Sequence, residues 1–296
     1  LFPFEYIHMG GDENAKNNWE KSADVKNLMK RENLKDQHEV QSYFVKRVEK
    51  IINAKGKKLM GWDEILEGGL PGNAAVMSWR GMLGGIEAAN QKHQVVMTPN
   101  DFAYIDFYQG EVTAEGKVYK GLRMKKTYEF EPLPQGIDPK YILGGQANLW
   151  TEQILSLRSA QYLTWPRSMS IAETLWSPKE KKNWQNFSEK VEKQFEILDA
   201  LNIKHAKSMY DPIVTTTTNT KGELITKMEG EVANLKFYYS IDESLPDNFS
   251  TEYTGTFIVP NDATILRVIS YRNGKPIGKM LHIPMESLIS RAVKTL

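Results

Sequence analysis

Cysteine is absent from this chain, so neither disulfide staples nor thiolate metal sites are available to it. That absence leaves the compartment open, because many exported proteins also do without disulfides. An excess of either charge is missing too: 38 Lys and Arg against 37 Asp and Glu leave a net charge of +1, with no electrostatic footprint for nucleic acid. No stretch approaches the roughly 18 consecutive apolar residues of a membrane-spanning helix. The chain also lacks an initiating Met and the basic segment of a signal peptide. Leu1-Phe2-Pro3 opens directly into a strand, so residue 1 is expected to lie inside a longer protein. What remains is the composition of a globular protein, 41% hydrophobic and 25% charged over 296 residues, enough for one large or two ordinary domains.

Strand and helix patterns alternate along the first two thirds. The apolar run Phe4-Glu5-Tyr6-Ile7 reads as a short buried strand ending near His8. A helix is expected over 36–54: Asp36 and Glu39 form a capping-box pattern, Val40, Phe44, Val48 and Ile51 recur at helical spacing, and Gly56 ends it. Residues 59–62, 75–78, 94–97 and 141–147 read as further strands, with a helix around 84–91. Helices are expected over 153–175 and about 180–201, the latter with Trp184, Phe187, Val191, Phe195 and Leu198 on one face. This alternation argues for parallel β/α units.

Beyond Asp211-Pro212 the character changes. Thr215 to Thr218 with Asn219-Thr220 reads as a polar linker. After it come alternating β-branched stretches at 235–239, 255–259 and 265–269, with Asn273-Gly274 as a hairpin turn. Two domains are therefore expected, 1–212 and a small all-β module over 213–296.

The most informative local pattern is His8-Met9-Gly10-Gly11-Asp12-Glu13, directly behind the first strand. Successive strand side chains point to opposite faces, so Asp12 and Glu13 serve one pocket only if the chain leaves strand geometry there, as Gly10 and Gly11 permit. The usual two-carboxylate glycosidase sets its carboxyl groups on opposite sides of the scissile bond, on the order of 5 Å apart in retaining enzymes. Sequence neighbours suit a different division of labour, in which one protonates the leaving oxygen and the other orients a group of the substrate. Proton donation at neutral pH requires an apolar or like-charged surrounding, and Asp12 is a like charge beside Glu13. By itself the hexapeptide is equally an ordinary solvated turn. Asp63-Glu64, behind Gly61-Trp62, is a second adjacent pair and a rival acid. His8, Asp12 and Glu13 lack the helical spacing of the His-Glu zinc motif, so neither metal nor other cofactor is expected. Trp62, Trp79 and Trp150 stand at three strand ends, where they either fill the core or wall an apolar slot for a sugar.

His8 to Glu13 resembles the H-x-G-G-D-E signature of glycoside hydrolase family 20, the β-N-acetylhexosaminidases. Gly61-Trp62-Asp63-Glu64, Met77-Ser78-Trp79-Arg80-Gly81, Tyr104-Ile105-Asp106 and Gly145-Gln146-Ala147-Asn148-Leu149-Trp150-Thr151-Glu152 follow in the family's order, and the segment from Tyr162 to Trp176 with Trp165-Pro166-Arg167 is similar as well. The resemblance covers roughly the first 180 residues.

It implies a (β/α)8 TIM barrel, of which about strands four to eight are here. A whole barrel needs about 250 residues, and the first three strands would precede Leu1. An immunoglobulin-like sandwich would follow, to which Tyr239-Ser240-Ile241-Asp242-Glu243-Ser244-Leu245-Pro246 is similar.

For activity the resemblance implies retaining, substrate-assisted hydrolysis of terminal GlcNAc or GalNAc from glycans or chitin oligosaccharides. Glu13 would be acid and then base, and Asp12 would accept the acetamido N–H. Trp62, Trp79 and Trp150 would wall the pocket, Tyr104 would donate to the acetamido carbonyl, and Asp106 and Glu152 would bind sugar. His8 would support the carboxylates. The alternative is a non-catalytic carbohydrate-binding or structural piece, because the family's sugar-binding arginine of the first strand is not in this chain. The expected partner is an N-acetylhexosaminide glycan, and the expected location is the periplasm, surface or exterior of a bacterium. Oligomeric state is not legible.

Overall fold

In the computed structural model, which describes residues 2–116 and 118–294, two compact units form. Leu1, expected to open the first strand, lies outside the described residues. One unit holds the residues up to Ala103 together with Phe130–Ala147; the other holds Tyr104–Glu129 and the chain from Asn148 onward.

In the first unit β1 (Tyr6–His8), β2 (Lys58–Trp62), β3 (Ala75–Ser78), β4 (Val95–Met97) and β5 (Ile142–Gly145) pair in sequence order, each parallel to the next. All four residues of β3 are buried, as in a sheet covered on both faces. Its helices are α1 (Asn17–Lys21), α2 (Ala23–Glu32), α3 (Gln37–Asn53), α4 (Leu83–Asn90) and the single turn α5 (Asn100–Ala103). Consecutive parallel strands with helical crossovers give a partial TIM-barrel type of fold.

Helix α3 starts where the capping pattern places it, with the Glu39 N–H donating to Asp36 at 2.9 Å. Its buried face is rotated from the expected stripe: Val40, Gln41, Val45 and Ile52 are covered, whereas Phe44 and Ile51 are exposed. Polar anchors set this rotation. The Gln41 side-chain amide donates to the Gly11 carbonyl at 3.0 Å, and the Ser42 hydroxyl to that of Gly69 at 2.6 Å.

The second unit begins with α6 (Val112–Glu115) and α7 (Met124–Tyr128) and continues through α8 (Leu157–Thr164), α9 (Arg167–Trp176) and α10 (Trp184–Ala200). The single helix expected over 153–175 is two. It begins late because the Ser156 hydroxyl caps α8, accepting the Ser159 N–H at 3.2 Å. It breaks at Trp165-Pro166 because proline has no N–H to give and its ring crowds the preceding turn. Helix α10 buries Phe187, Val191, Phe195 and Leu198 against Met124, Tyr128, Met209, Tyr210 and Val232, with Trp184 at the margin.

Val232 belongs to the β-rich end of the chain, so this helical core runs on past the boundary expected at 212/213. The Thr-rich segment read as a linker is itself strand β6 (Ile213–Thr218), paired antiparallel with β7 (Leu224–Glu229). β-Branched threonines fit a half-buried pleat, and buried Thr216 donates its hydroxyl to the Leu288 carbonyl at 2.7 Å. The stitching continues across residue 212: Arg123 reaches Glu231 at 3.0 Å and the Ser208 and Asp211 carbonyls at 2.7 and 3.0 Å, and Ser270 donates to the Tyr210 carbonyl at 2.6 Å.

The remaining strands are β8 (Lys236–Ser240), β9 (Thr251–Glu252), β10 (Phe257–Ile258), β11 (Ile265–Arg272), β12 (Lys275–Pro284) and, after α11 (Met285–Ser290), β13 (Val293–Lys294). They form two four-stranded sheets, ordered β10-β7-β6-β13 and β12-β11-β8-β9, which share a core of Val214, Met228, Phe237, Leu266, Val268, Leu281, Ile283 and Leu288. Asn273 and Gly274, at φ 52° and 74°, make the two-residue turn between β11 and β12. No helix among the described residues is long and apolar enough to cross a membrane.

Candidate active site

The ladder of β1 outlasts the strand by one bond, from the Met9 N–H to the Met60 carbonyl at 2.8 Å. There the chain turns out of the sheet. Gly10 and Gly11 sit at φ 81° and 101°, where a side chain is strained, and Gly11 lies against Ile65 so closely that a Cβ would meet its Cγ2 at 2.7 Å. Gly61, opposite, is equally constrained, since its Cβ would come within 2.9 Å of the Gly10 carbonyl oxygen.

This turn is fastened on several sides. The Gly10 carbonyl accepts the Trp62 N–H at 3.0 Å, the Gly11 carbonyl accepts the Gln41 amide, and the Gly10 N–H donates to His8 Nδ1 at 3.0 Å. Glu13 follows with φ 48°, unusual for a residue with a side chain, and its N–H points to Glu64 Oε1 at 3.5 Å. Both Asp12 and Glu13 are exposed at the C-terminal end of β1. Of the two surroundings that suit a proton donor, apolar or like-charged, the described residues offer Glu13 the second, the neighbouring Asp12.

His8 stands edge-on to Trp62, with ring centroids 5.0 Å apart. His8 is exposed at the end of β1, yet partial desolvation of its ring lowers its pKa against the opposing pull of Asp12, and a Nδ1 that accepts the Gly10 N–H suits the neutral ring. The imidazole thus shapes the turn that carries the carboxylates.

Asp63 and Glu64, the rival pair, are buried and engaged with the protein. The Trp79 indole Nε1–H donates to both Glu64 oxygens, at 2.9 and 3.2 Å. Arg80 donates from Nε to Asp63 and from Nη1 to Glu67, each at 3.0 Å. Burial raises the Asp63 carboxyl to about 7; its bond to Glu64 adds to the rise and the Arg80 charge opposes it. Sequence reasoning missed this framework. Arg80 stood inside a quoted motif without a role, and Gln41 carried no signal beyond being polar on a helical stripe.

The other predicted residues belong to the second unit, which groups them around Tyr104. Its backbone bridges in parallel to Asn148, and its ring lies 6.5 Å from that of Trp150 at an angle of 47°. Asp106 is buried and raised to about 6 by desolvation, with backbone N–H groups and Arg167 opposing and Glu152 adding to the rise. Trp150 is 40% exposed, and Glu152 is exposed.

Arg167 is entirely buried and donates to the carbonyls of Leu122 at 3.0 Å, Leu163 at 2.9 Å and Ile105, so it pins the segment between Tyr104 and Asp106. Burial lowers its pKa to about 10. This anchor too went unassigned in the sequence, although Trp165-Pro166-Arg167 marked its place. Among the described residues no three His, Asp or Glu side chains are grouped as a metal site requires.

Comparison with known proteins bears on what these two groups of residues are for. A β-hexosaminidase of Porphyromonas gingivalis is 38% identical over 95% of this chain and 36% of its own length. The GH20 exo-β-N-acetylglucosaminidase of Vibrio harveyi, solved in complex with N-acetylglucosamine, superimposes with a TM-score of 0.63 at 28% identity, over 70% of this chain and 34% of that one. Flavobacterium johnsoniae chitobiase gives a TM-score of 0.59 at 31% identity, over 70% of this chain and 31% of that one. The chain thus spans about a third of the length of these relatives. The family model for the glycosyl hydrolase family 20 catalytic domain matches residues 1–179, and with the β1 turn, the parallel sheet and these relatives in agreement, the chain belongs to that family.

Proposed function

We propose that a protein carrying this chain is a retaining β-N-acetylhexosaminidase that removes terminal GlcNAc or GalNAc from glycans or chitin oligosaccharides by substrate assistance. One observation carries this reading: two adjacent carboxylates, Asp12 and Glu13, are turned out of strand geometry at the C-terminal end of a parallel strand by a Gly-Gly turn that neighbouring residues fasten in place. In the proposed reaction Glu13 gives its proton to the leaving oxygen while the substrate's own acetamido oxygen attacks C1, forming a cyclic oxazolinium. Asp12 accepts the acetamido N–H and balances the positive charge that develops there. Glu13 then takes a proton from the incoming water, and the sugar leaves with its configuration retained.

Trp62 and Trp79 supply apolar surface for the sugar and its methyl group. We assign sugar contacts to Tyr104, Asp106, Trp150 and Glu152 on the same reading. The bound N-acetylglucosamine of the Vibrio harveyi structure supports the substrate class. The C-terminal module is proposed to be immunoglobulin-like and to serve packing, in keeping with its Arg123–Glu231 and Ser270–Tyr210 bonds to the helical part of its unit.

The test is hydrolysis of an aryl β-GlcNAc glycoside, with the anomer first formed read by NMR and with a thiazoline mimic of the oxazolinium as inhibitor. Release of the β-anomer and strong thiazoline inhibition are expected. Trapping of a covalent glycosyl-enzyme by a 2-fluoro sugar refutes the mechanism. Glycan binding without turnover establishes instead the non-catalytic, carbohydrate-binding reading.

A further inference from the structure

Glu64 is the point at which two parts of the candidate site meet. Glu64 is 6% exposed, and the one cation beside it is held loosely: Arg80 Nε pairs with it at 3.7 Å while donating its hydrogen bond to Asp63 at 3.0 Å. Besides Arg80 and the bonded Asp63 carboxyl, the Glu64 oxygens face two donors of the candidate site. The Trp79 indole N–H is held between both of them, at 2.9 and 3.2 Å, and the Glu13 backbone N–H reaches Oε1 at 3.5 Å.

An indole has a single donor, so an acceptor with two oxygens astride it fixes the rotation of the ring as well as its position. A residue with a side chain held at φ 48°, as Glu13 is, needs its surroundings to keep it there. The contact between Ile65 and Gly11 locks the next residue of the same short helical turn to the same glycine turn.

We propose that Glu64 is a positioning residue for the candidate site: its carboxylate sets the Trp79 indole and the Glu13 backbone together, so that the pocket wall and the proton donor keep one mutual geometry. The proposal rests on the reading that Glu13 is the acid and Trp79 a wall of the pocket. The bland account is that Glu64 is an ordinary buried carboxylate whose bonds only stabilise the fold. Misplacing an acid and misplacing a wall have different kinetic signatures, and this separates the two accounts. A displaced Glu13 lowers kcat only where the leaving group needs a proton, whereas a displaced Trp79 raises KM for every substrate.

Glu64→Ala and Glu64→Gln are compared in the protein carrying this chain, on an activated aryl glycoside and on chitobiose. Glu64→Ala is expected to raise KM on both and to lower kcat about tenfold or more on chitobiose alone. Glu64→Gln, which keeps an acceptor oxygen at the same reach, is expected to restore most of both. A loss that is uniform across the two substrates and follows the unfolded fraction overturns the proposal.

A second measurement needs no turnover, and its first part, solvent exchange, is read on the unsubstituted chain. The indole ¹H–¹⁵N resonance of Trp79, assigned by its disappearance in Trp79→Phe, is expected to exchange slowly with solvent in the unsubstituted chain. It is expected to shift upfield in Glu64→Ala and to stay in place in Glu64→Gln. A rapidly exchanging indole, or one indifferent to Glu64→Ala, overturns the positioning role. Absence of hydrolysis by the unsubstituted protein, with the indole behaving as expected, removes instead the enzymatic reading on which the proposal rests.

Discussion

Ile65 occupies the space that a side chain at Gly11 would need, its Cγ2 lying 2.7 Å from where a Cβ would stand. With φ at 101° the backbone of Gly11 is also one that other residues avoid. Gly11→Ala is therefore expected to destabilise the first unit by about 3 kcal/mol, overpacking and backbone strain each contributing on the order of 1–2 kcal/mol. The urea midpoint reads this. Ile65→Ala added to Gly11→Ala should cost less than the two single effects combined, since it vacates the contested space; strict additivity would show that the contact is not the cause.

Glu13→Gln removes the proposed proton donor at nearly constant volume. Turnover of substrates with poor leaving groups should fall about 10²–10⁴-fold, the usual worth of general acid catalysis. Activated aryl glycosides should suffer far less. Comparable losses on both would make Glu13 a structural residue, and an unchanged rate would return the assignment to Glu64.

The buried Asp63 makes stability depend on pH with a definite sign. Its carboxyl is raised from 3.8 to about 7 in the folded chain. Between those values the folded state keeps a proton that the unfolded state has released, so this group's contribution declines as pH rises through the window and is fully lost above it. Asp63→Asn copies the neutral acid and should flatten that part of the profile. Denaturant midpoints for both proteins between about pH 5 and pH 8 decide the matter. Parallel curves would mean that Asp63 is already ionised in the folded state.

Arg167→Met should be among the most damaging single changes in the second unit. It leaves the carbonyls of Ile105, Leu122 and Leu163 without this donor, the first two at buried bonds and the third at a part-buried one. Loss of a buried charged donor of this kind costs about 3–5 kcal/mol. Arg167→Lys should recover little, because an ammonium cannot reproduce the planar fork. Equilibrium unfolding measures both, and a loss below about 1 kcal/mol would show that the carbonyls find other partners.

The parts legible in the sequence were those specified locally. The alternation that placed β1 to β5, the Asp36 cap, the Asn273-Gly274 turn and the apolar stripe of α10 each depend on a few neighbouring residues. What escaped depended on partners distant in sequence. Gln41 turned α3 inward because Gly11 offered a carbonyl, and no periodicity announces such a bond. Thr215 to Thr218 looked like a linker because threonine is polar, but a strand opposite them supplied the ladder that their branched side chains suit.

At the site the carboxylates were found from spacing and resemblance. Glu64, whose carboxylate the Glu13 N–H faces, was read as a rival acid, and Arg80 and, in the second unit, Arg167 stood without a role inside quoted motifs, since nothing in a run of residues tells whether a charge will be buried. The break at Pro166 is a different case: the residue that causes it was in plain view, inside the single helix expected over 153–175.

The path of the chain between its two units has a consequence for the order of assembly. After β4 the chain leaves the first unit at Ala103 and does not rejoin it until Phe130, shortly before β5. During synthesis the edge of β4 must therefore wait roughly a few seconds, its hydrogen-bonding groups bare, while the intervening segment emerges. That segment, Tyr104–Glu129, belongs to a body whose helices and sheets are not yet made. Neither unit can reach its final form from a contiguous stretch of nascent polypeptide, and a ribosome stalled between Ala103 and Phe130 would display an unfinished sheet edge open to adventitious pairing.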